Sequence, residues 1–319
     1  METPPIHPQV EAVAADIADM ETRGAAGIAE AAANALLVQA EETDVEDPES
    51  FRAQQRAAAR ALLDTRPTAV SLPNALRFVL TRMTGGTVAD LRRSLMDAAE
   101  EFGARVATAQ DDLGRVGANR LKDGDVIMTH CHSTDAMACV EAAVEQGKDL
   151  EAVVKETRPR EQGRITAEEL DDLDVPVTFV VDGAAGRYLN DVDHVLVGAD
   201  SIAADGSVVN KIGTKLLAVA AREHGTPVMV AAQTVKLHPA TLTGHTVEIE
   251  ERDTAEVIDA DDLASLGERV TVANPAFDVT PPRYVDAIVT ERGQFPPESI
   301  VTLMRELFGE VPEEPWRER

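Results

Sequence analysis

Apolar and polar positions along the chain follow two different periods. From Pro8 to about Arg120, residues rich in alanine, leucine, arginine and glutamate place apolar side chains at helical spacing, with very few β-branched runs. That pattern predicts helix. The spacing puts helices over Val10–Met20, Gly27–Ala40, Pro48–Leu63, Leu72–Thr81 and Val88–Leu113, with Asp47-Pro48, Arg66-Pro67 and Gly85-Gly86 breaking the pattern between them.

After Lys122-Asp123-Gly124 the character changes. Short β-branched runs at residues 125–130, 150–156, 175–181, 193–199, 226–232 and 285–291 alternate with helix-like stretches. Such runs predict buried parallel strands joined by helices, with right-handed crossovers covering both faces. The expected fold is therefore α/β: a helical N-terminal domain over residues 1–120, then a Rossmann-like, doubly wound parallel-sheet domain over residues 121–319. Ligands of such sheets sit at the carboxyl ends of the strands. The segment Glu248–Ala264 is the least regular part.

Composition narrows the partners. Asp plus Glu outnumber Lys plus Arg 57 to 30, and a formal charge of -27 disfavours contact with nucleic acid or an anionic membrane. Only six of the basic residues are lysines, which together with the acidic excess predicts a surface suited to concentrated salt, where carboxylate repulsion is screened. Two cysteines make no disulfide framework. The N-terminal residues lack a basic-then-apolar leader and no apolar run approaches the ~20 residues of a membrane span. A cytoplasmic protein is expected.

The strand ends carry the candidate chemistry. The first strand ends in Thr129-His130-Cys131-His132-Ser133 ahead of a helix-like run. A helix N-terminus lowers a thiol pKa, so Cys131 is a candidate base or nucleophile; the alternative is an inert core cysteine. No metal is expected, because adjacent residues do not converge readily on one ion. The second strand ends in Glu156-Thr157-Arg158-Pro159-Arg160, whose arginines suit phosphate, or a plain solvated loop. The fourth ends in Gly198-Ala199-Asp200-Ser201, followed by Asn210-Lys211-Ile212-Gly213-Thr214 and a helix. Partial desolvation would raise the Asp200 pKa and make it an acid, and the helix start at 210–214 is a natural anion site; simple turn and helix capping is the other reading. Three of the six lysines, Lys211, Lys215 and Lys236, fall close together, which suggests phosphate binding. In the helical half, Arg23-Gly24-Ala25-Ala26-Gly27 and Arg66-Pro67-Thr68-Ala69-Val70 each put an arginine beside exposed backbone N–H groups.

This set of motifs resembles the archaeal ribose-1,5-bisphosphate isomerase family, within the superfamily that also holds methylthioribose-1-phosphate isomerase and regulatory subunits of initiation factor 2B. The resemblance runs from about Thr22 to Gln294 and is carried by residues 23–27, 66–76, 129–133, 156–160, 198–214 and 234–236. It implies an aldose-ketose isomerase acting on a small sugar bisphosphate, with Cys131 and Asp200 catalytic. Arg23, Gly24, Ala25, Ala26, Arg66, Arg158, Asn210, Lys211 and Lys236 match the substrate-binding positions. One departure is visible: Ala26 stands where the family often has glycine. The resemblance further implies no cofactor, AMP as an activator, and a homo-oligomer, either a dimer or a hexamer built from dimers. Methylthioribose-1-phosphate isomerase and a non-catalytic, initiation factor 2B-like regulatory protein are the two alternatives.

Overall fold

The computed structural model describes residues 4–22, 24–66, 69–267, 269–309 and 314–317. The chain divides into two compact units. One comprises residues 1–109, 235–237 and 308–319, the other residues 110–234 and 238–307.

The first unit is helical: α1 (Pro8–Ala18), α2 (Ala25–Glu42), α3 (Pro48–Leu63), α4 (Ser71–Thr81) and the first two-thirds of α5 (Val88–Ala118). Local chemistry sets the ends. Asp47 precedes Pro48 and its carboxylate accepts from the Ser50 N–H at 2.8 Å, which satisfies a donor that helix geometry leaves unpaired. Thr87 and Asp90 exchange hydrogen bonds in the same way at the start of α5. The apolar faces meet in one core containing Leu36, Phe51, Leu62, Leu72, Leu76, Leu91 and Leu95, all with no exposed surface. Each such side chain contributes roughly 1.5–3 kcal/mol on burial. Ala29, Ala32 and Ala33 give α2 a small-residue face on which neighbours can approach closely.

Past α5 the chain alternates. It forms β1 (Val126–His130), α6 (Thr134–Glu145), β2 (Glu151–Lys155), α7 (Gly163–Asp172), β3 (Val177–Val180), α8 (Ala185–Tyr188) and β4 (His194–Gly198). It continues through β5 (Ser201–Ala203), β6 (Val208–Lys211), α9 (Thr214–His224), β7 (Val228–Ala231), β8 (Leu237–His238) and α10 (Ala260–Leu266). β9 (Phe277–Thr280), β10 (Ala287–Thr290), β11 (Gly293–Phe295) and α11 (Ile300–Phe308) complete it.

The main sheet has the order β11-β10-β7-β4-β1-β2-β3, parallel except for β10 with β11. Strand order runs outward in both directions from the β1–β4 pair. That pair is the switch point at which an open α/β sheet leaves its crevice, and Cys131 follows β1 while Asp200 follows β4. The expected α/β class and all six expected parallel strands are present, along with the five expected helices.

A second sheet, β8-β5-β6-β9, was not expected. β5 and β6 form an antiparallel hairpin whose turn contains Asp205 and Gly206; Gly206 has φ 80° and the Asp205 carboxylate accepts from the Ser207 N–H. Its strands are three and four residues long, too short for a period-two pattern to register. This hairpin carries Asn210 and Lys211 back to the mouth of the main sheet.

Candidate active site

The site in the second unit is assembled from three loops. The first follows β1. Cys131 adopts φ 69°, is buried, and donates its backbone N–H to Thr157 Oγ1 at 2.7 Å. Its carbonyl accepts from Thr166 Oγ1 at 3.0 Å, and its Sγ lies 3.4 Å from Gln162 Oε1. Ser133, not Cys131, caps α6, which places the thiol before the first free N–H groups of the helix. Gly198 lies against this cap: a Cβ there would sit 2.1 Å from Ser133 Oγ, so the last residue of β4 has to be glycine for the two loops to approach.

The second loop follows β2. Thr157 also has positive φ, and the Asp182 carboxylate accepts from the N–H groups of Thr157 and Arg158 at 3.1 and 2.8 Å. Arg158 is half-exposed and pairs with Glu161 at 3.3 Å. Lys155, 3% exposed, places its Nζ 3.8 Å from Asp182.

The third loop follows β6. Asn210 donates to Thr214 Oγ1 at 3.0 Å, and Lys211 is buried with its ammonium 5.1 Å from the centre of the Phe277 ring. His130 ties this loop to the other two. One ring nitrogen, Nε2, lies 2.8 Å from the Ile212 carbonyl and must donate to it. The other, Nδ1, lies 3.2 Å from Thr157 Oγ1, the same hydroxyl that accepts from Cys131 and whose one proton the Lys155 carbonyl, 3.1 Å away, can also take. Burial first, and Lys155 next, push the His130 pKa down to about 4, so the ring is neutral at working pH.

Three local expectations are corrected. Burial pushes the Cys131 thiol up to about 11, outweighing the opposing pull of Lys211, the His132 N–H and Arg252, so the thiol is protonated at neutral pH. Asp200 is exposed rather than desolvated by its own unit: the chain leaves the sheet at Ala199, and the Asp200 N–H donates to the Val209 carbonyl at 2.9 Å. The start of α9 is not an open anion site, because the Asp278 carboxylate already accepts from the N–H groups of Gly213 and Lys215 at 2.8 and 3.0 Å. The side chains of His130, Cys131 and His132 diverge towards Ile212, Gln162 and Thr166, and among the described residues no group of three such side chains is arranged to hold a metal ion.

A small open cleft shares Gln162 with the surroundings of the thiol. It is lined in part by Arg158, Arg160, Gln162, Lys211, Arg252 and Asn274. Of these, Arg252 comes from the stretch Glu248–Ala264 that periodicity reads as irregular, and only the scarcity of bases there could have drawn attention to it. Cys131, Asp200 and Lys211 are electrostatically coupled: the Asp200 carboxylate raises the thiol and the Lys211 ammonium lowers it. The structure thus brings together Cys131, Asp200, Arg158, Asn210 and Lys211.

The remaining candidates lie in the first unit. Gly24 caps α2 with φ 75°, which only glycine adopts without strain, and no side chain occupies the cap. Ala25 and Ala26 form the first turn, where helical φ accommodates the Ala26 Cβ. Arg66 is half-buried after α3, whereas Arg23 lies outside the described residues. Lys236 ends a 3₁₀ turn bracketed by one side chain: Asn74 Nδ2 donates to the carbonyls of Val235 at 2.9 Å and Leu237 at 2.7 Å.

A helical unit followed by a Rossmann-like sheet, with a thiol and a carboxylate after the strands at its switch point and an arginine-lined cleft nearby, defines an α/β protein with a candidate active site. The chain belongs to the initiation factor 2 subunit family, whose model matches residues 21–297. It is 72% identical over 98% of its length to ribose 1,5-bisphosphate isomerase of Haloferax volcanii, covering 97% of that protein, and 48% identical over 97% to that of Thermococcus kodakarensis, covering 98%. Among solved structures it is similar to 5-methylthioribose 1-phosphate isomerase of Pyrococcus horikoshii OT3, with TM-score 0.74, 33% identity and coverage of 94% and 87% of the two chains. It is also similar to a protein described as translation initiation factor eIF-2B of the same organism, with TM-score 0.76, 32% identity and coverage of 93% and 100%. The chain is an isomerase.

Proposed function

We propose that the chain converts α-D-ribose 1,5-bisphosphate to D-ribulose 1,5-bisphosphate, with Cys131 as base and Asp200 as acid. The observation that carries this reading is the 72% identity, across nearly the whole chain, to a protein named for that activity. The switch-point positions of the thiol and carboxylate support it.

The C1 phosphate prevents ordinary opening to a free aldehyde, so ring cleavage has to be coupled to proton removal. In the free site the Cys131 thiol holds its proton. Passing that proton to the Asp200 carboxylate creates both catalytic partners at once, a thiolate base and a carboxylic acid. Bound substrate supplies the desolvation that Asp200 lacks in its own unit. The thiolate then takes the C2 proton, the electron pair forms the C1–C2 double bond, and the bond from C1 to the ring oxygen breaks as Asp200 protonates that oxygen. The resulting enol phosphate becomes the ketone when its C2 hydroxyl returns a proton to Asp200 and Cys131 delivers one to C1. Both groups are restored without an external oxidant or reductant.

Arg23, Gly24, Ala25, Ala26, Arg66, Arg158, Asn210, Lys211 and Lys236 hold the two phosphates in this reading, and no cofactor takes part. AMP as an activator, a role in archaeal nucleoside monophosphate degradation, a homo-oligomer built from dimers, and a salt-rich cytoplasm belong to the same proposal. No helix among the described residues is long and apolar enough to cross a membrane.

The test is turnover of ribose 1,5-bisphosphate in molar KCl by the parent, Cys131→Ser and Asp200→Asn, with methylthioribose 1-phosphate as the control substrate. Turnover of the bisphosphate alone, lost by at least roughly 100-fold in both variants, is expected. In D2O, deuterium at C1 of the product is expected to the extent that the thiol exchanges before it delivers its proton, and its appearance there would exclude a hydride shift from C2.

A further inference from the structure

The irregular stretch after β8 contributes a residue to the cleft that the family resemblance does not assign. Residues 250–252 run beside residues 274–276: the Ala276 N–H donates to the Glu250 carbonyl at 2.8 Å, the Arg252 N–H donates to the Asn274 carbonyl at 2.9 Å, and Glu251 bridges Pro275 in antiparallel register. Residue 276 in turn accepts from the Ile212 N–H at 3.0 Å. Backbone pairing therefore carries the segment to the end of β6, next to Lys211.

Two cations meet one ring there. Phe277 faces Lys211 across the β6–β9 ladder, and its ring centre lies 5.1 Å from the Lys211 ammonium and 5.7 Å from the Arg252 guanidinium. Glu250 takes the Nε edge of Arg252 at 2.9 Å, and the Arg252 side chain is 14% exposed at the cleft wall. The segment is secured at its other end. Glu256 receives Arg160 in an ion pair and lies 3.4 Å from Asn274 Nδ2, which also donates to the Asp253 carbonyl at 2.7 Å. Each cleft arginine thus has one carboxylate partner, Arg158 with Glu161, Arg160 with Glu256 and Arg252 with Glu250, and Lys211 adds a further positive charge. In a chain with a formal charge of -27, such a concentration of guanidinium groups on one cleft is unusual.

We propose that Arg252 is a further substrate-binding residue that contacts a phosphate monoester in this cleft, and that the Arg160–Glu256 pair with Asn274 latches its segment beside Lys211. Gln162 lines the same cleft and its Oε1 lies 3.4 Å from Cys131 Sγ. A phosphate there sits next to the thiol that works at C2, which makes it the C1 phosphate; this last assignment rests on the sugar bisphosphate reading, and the phosphate contact itself does not. A guanidinium offers paired donors to phosphate, and cationic contacts in a part-buried cleft are worth more than at an open surface.

The test uses inorganic phosphate as the probe. Its binding to the whole protein in KCl is measured by calorimetry for the parent, Arg252→Gln, Arg252→Lys and Glu256→Gln, with thermal melting as the check of folding and Arg252→Lys as the variant that keeps the charge and stem. Arg252→Gln should weaken phosphate roughly 10- to 100-fold and raise KM for ribose 1,5-bisphosphate by a similar factor, with kcat changed only a few-fold. Arg252→Lys should recover part of the affinity, and Glu256→Gln should lose part of it. Parent-like phosphate affinity in folded Arg252→Gln, or no phosphate binding by the parent, overturns the proposal. If Arg252→Gln loses phosphate while the parent leaves ribose 1,5-bisphosphate unchanged, the Arg252 contact stands and the substrate reading falls.

Discussion

Thr157 Oγ1 accepts the backbone N–H of Cys131 at 2.7 Å, so a residue at the end of β2 fixes the conformation of the thiol-bearing residue at the end of β1. Both residues hold positive φ, a conformation that costs a non-glycine residue of order 1 kcal/mol and persists only where neighbours over-determine it. Thr157→Val keeps the shape and removes the acceptor. It should destabilise the fold by about 1–3 kcal/mol, the cost of a buried unpaired N–H, and lower kcat more than it alters KM. Thr157→Ser should restore both. Chemical unfolding and steady-state kinetics read the two effects, and parent-like kcat in Thr157→Val would remove Thr157 as a positioning residue.

His130 ties the loops after β1, β2 and β6 as a neutral ring, because protonation would place a charge in a buried site beside Lys155. Its folded pKa, about 4, is depressed below the ordinary 6.5. The unfolded chain therefore binds the proton more readily than the folded one between those values. The contribution is complete above pH 6.5 and is lost as pH falls towards 4, by up to about 3 kcal/mol. Asp182 works against this depression, whereas Lys155 and Lys211 reinforce it. Unfolding free energies at pH 7.5 and 5 should fall more for the parent than for His130→Gln, which has no proton to gain.

The Cys131 thiol should alkylate slowly with iodoacetamide at neutral pH, and its rate should still be rising at pH 10, given a pKa near 11. Two variants test the cause. Asp200→Asn removes a charge that raises the thiol and should shift the profile down; Lys211→Met removes one that lowers it and should shift the profile up. Peptide mass spectrometry separates Cys131 from Cys139. The latter is packed so that a Cβ on Gly117 would lie 2.2 Å from its Sγ, and its pKa is pushed up to about 12 by burial.

How far the sequence carries this site depends on the range of the interactions that build it. Helices and parallel strands were legible because their periods repeat over several turns or recur between turn signals, and Pro48–Leu63 matches its expected bounds. The placement of Cys131 and Asp200 on adjacent strands depends on strand order, which no local pattern encodes. The protonation of the thiol departs from the helix-start rule because that rule is local, whereas Gln162 and Thr166, which pack on Cys131, lie more than thirty positions away. Asp278 closing the start of α9 was invisible for the same reason, sixty-five residues on from Gly213.

Asn74 brackets Lys236 through two carbonyls and is itself held by Arg77, whose Nη1 donates to Asn74 Oδ1 at 2.8 Å. This buried amide lies within the 66–76 motif, yet its structural role is to fix the turn that presents Lys236. Asn74→Leu leaves two carbonyls without their donor. It should cost about 2–4 kcal/mol of stability and raise KM for the bisphosphate several-fold. Lys236→Met should match the KM change, and an unchanged KM in both variants would separate Lys236 from the substrate.

Salt is the last test, and the charge count sets its sign. With 57 carboxylates against 30 bases, folding brings like charges together at low ionic strength, and the Debye length shrinks from about 10 Å at 0.1 M to 3 Å at 1 M. Strands β7 and β10 and the first-unit core are uncharged and respond little to this screening. The melting temperature should therefore climb steeply between 0.1 and roughly 1 M KCl, where screening becomes short-ranged, and only slowly beyond it. Potassium and sodium chloride should act alike if screening alone is responsible. A flat melting temperature across that range would mean that the acidic surface contributes no salt dependence and that the excess of carboxylates needs another explanation.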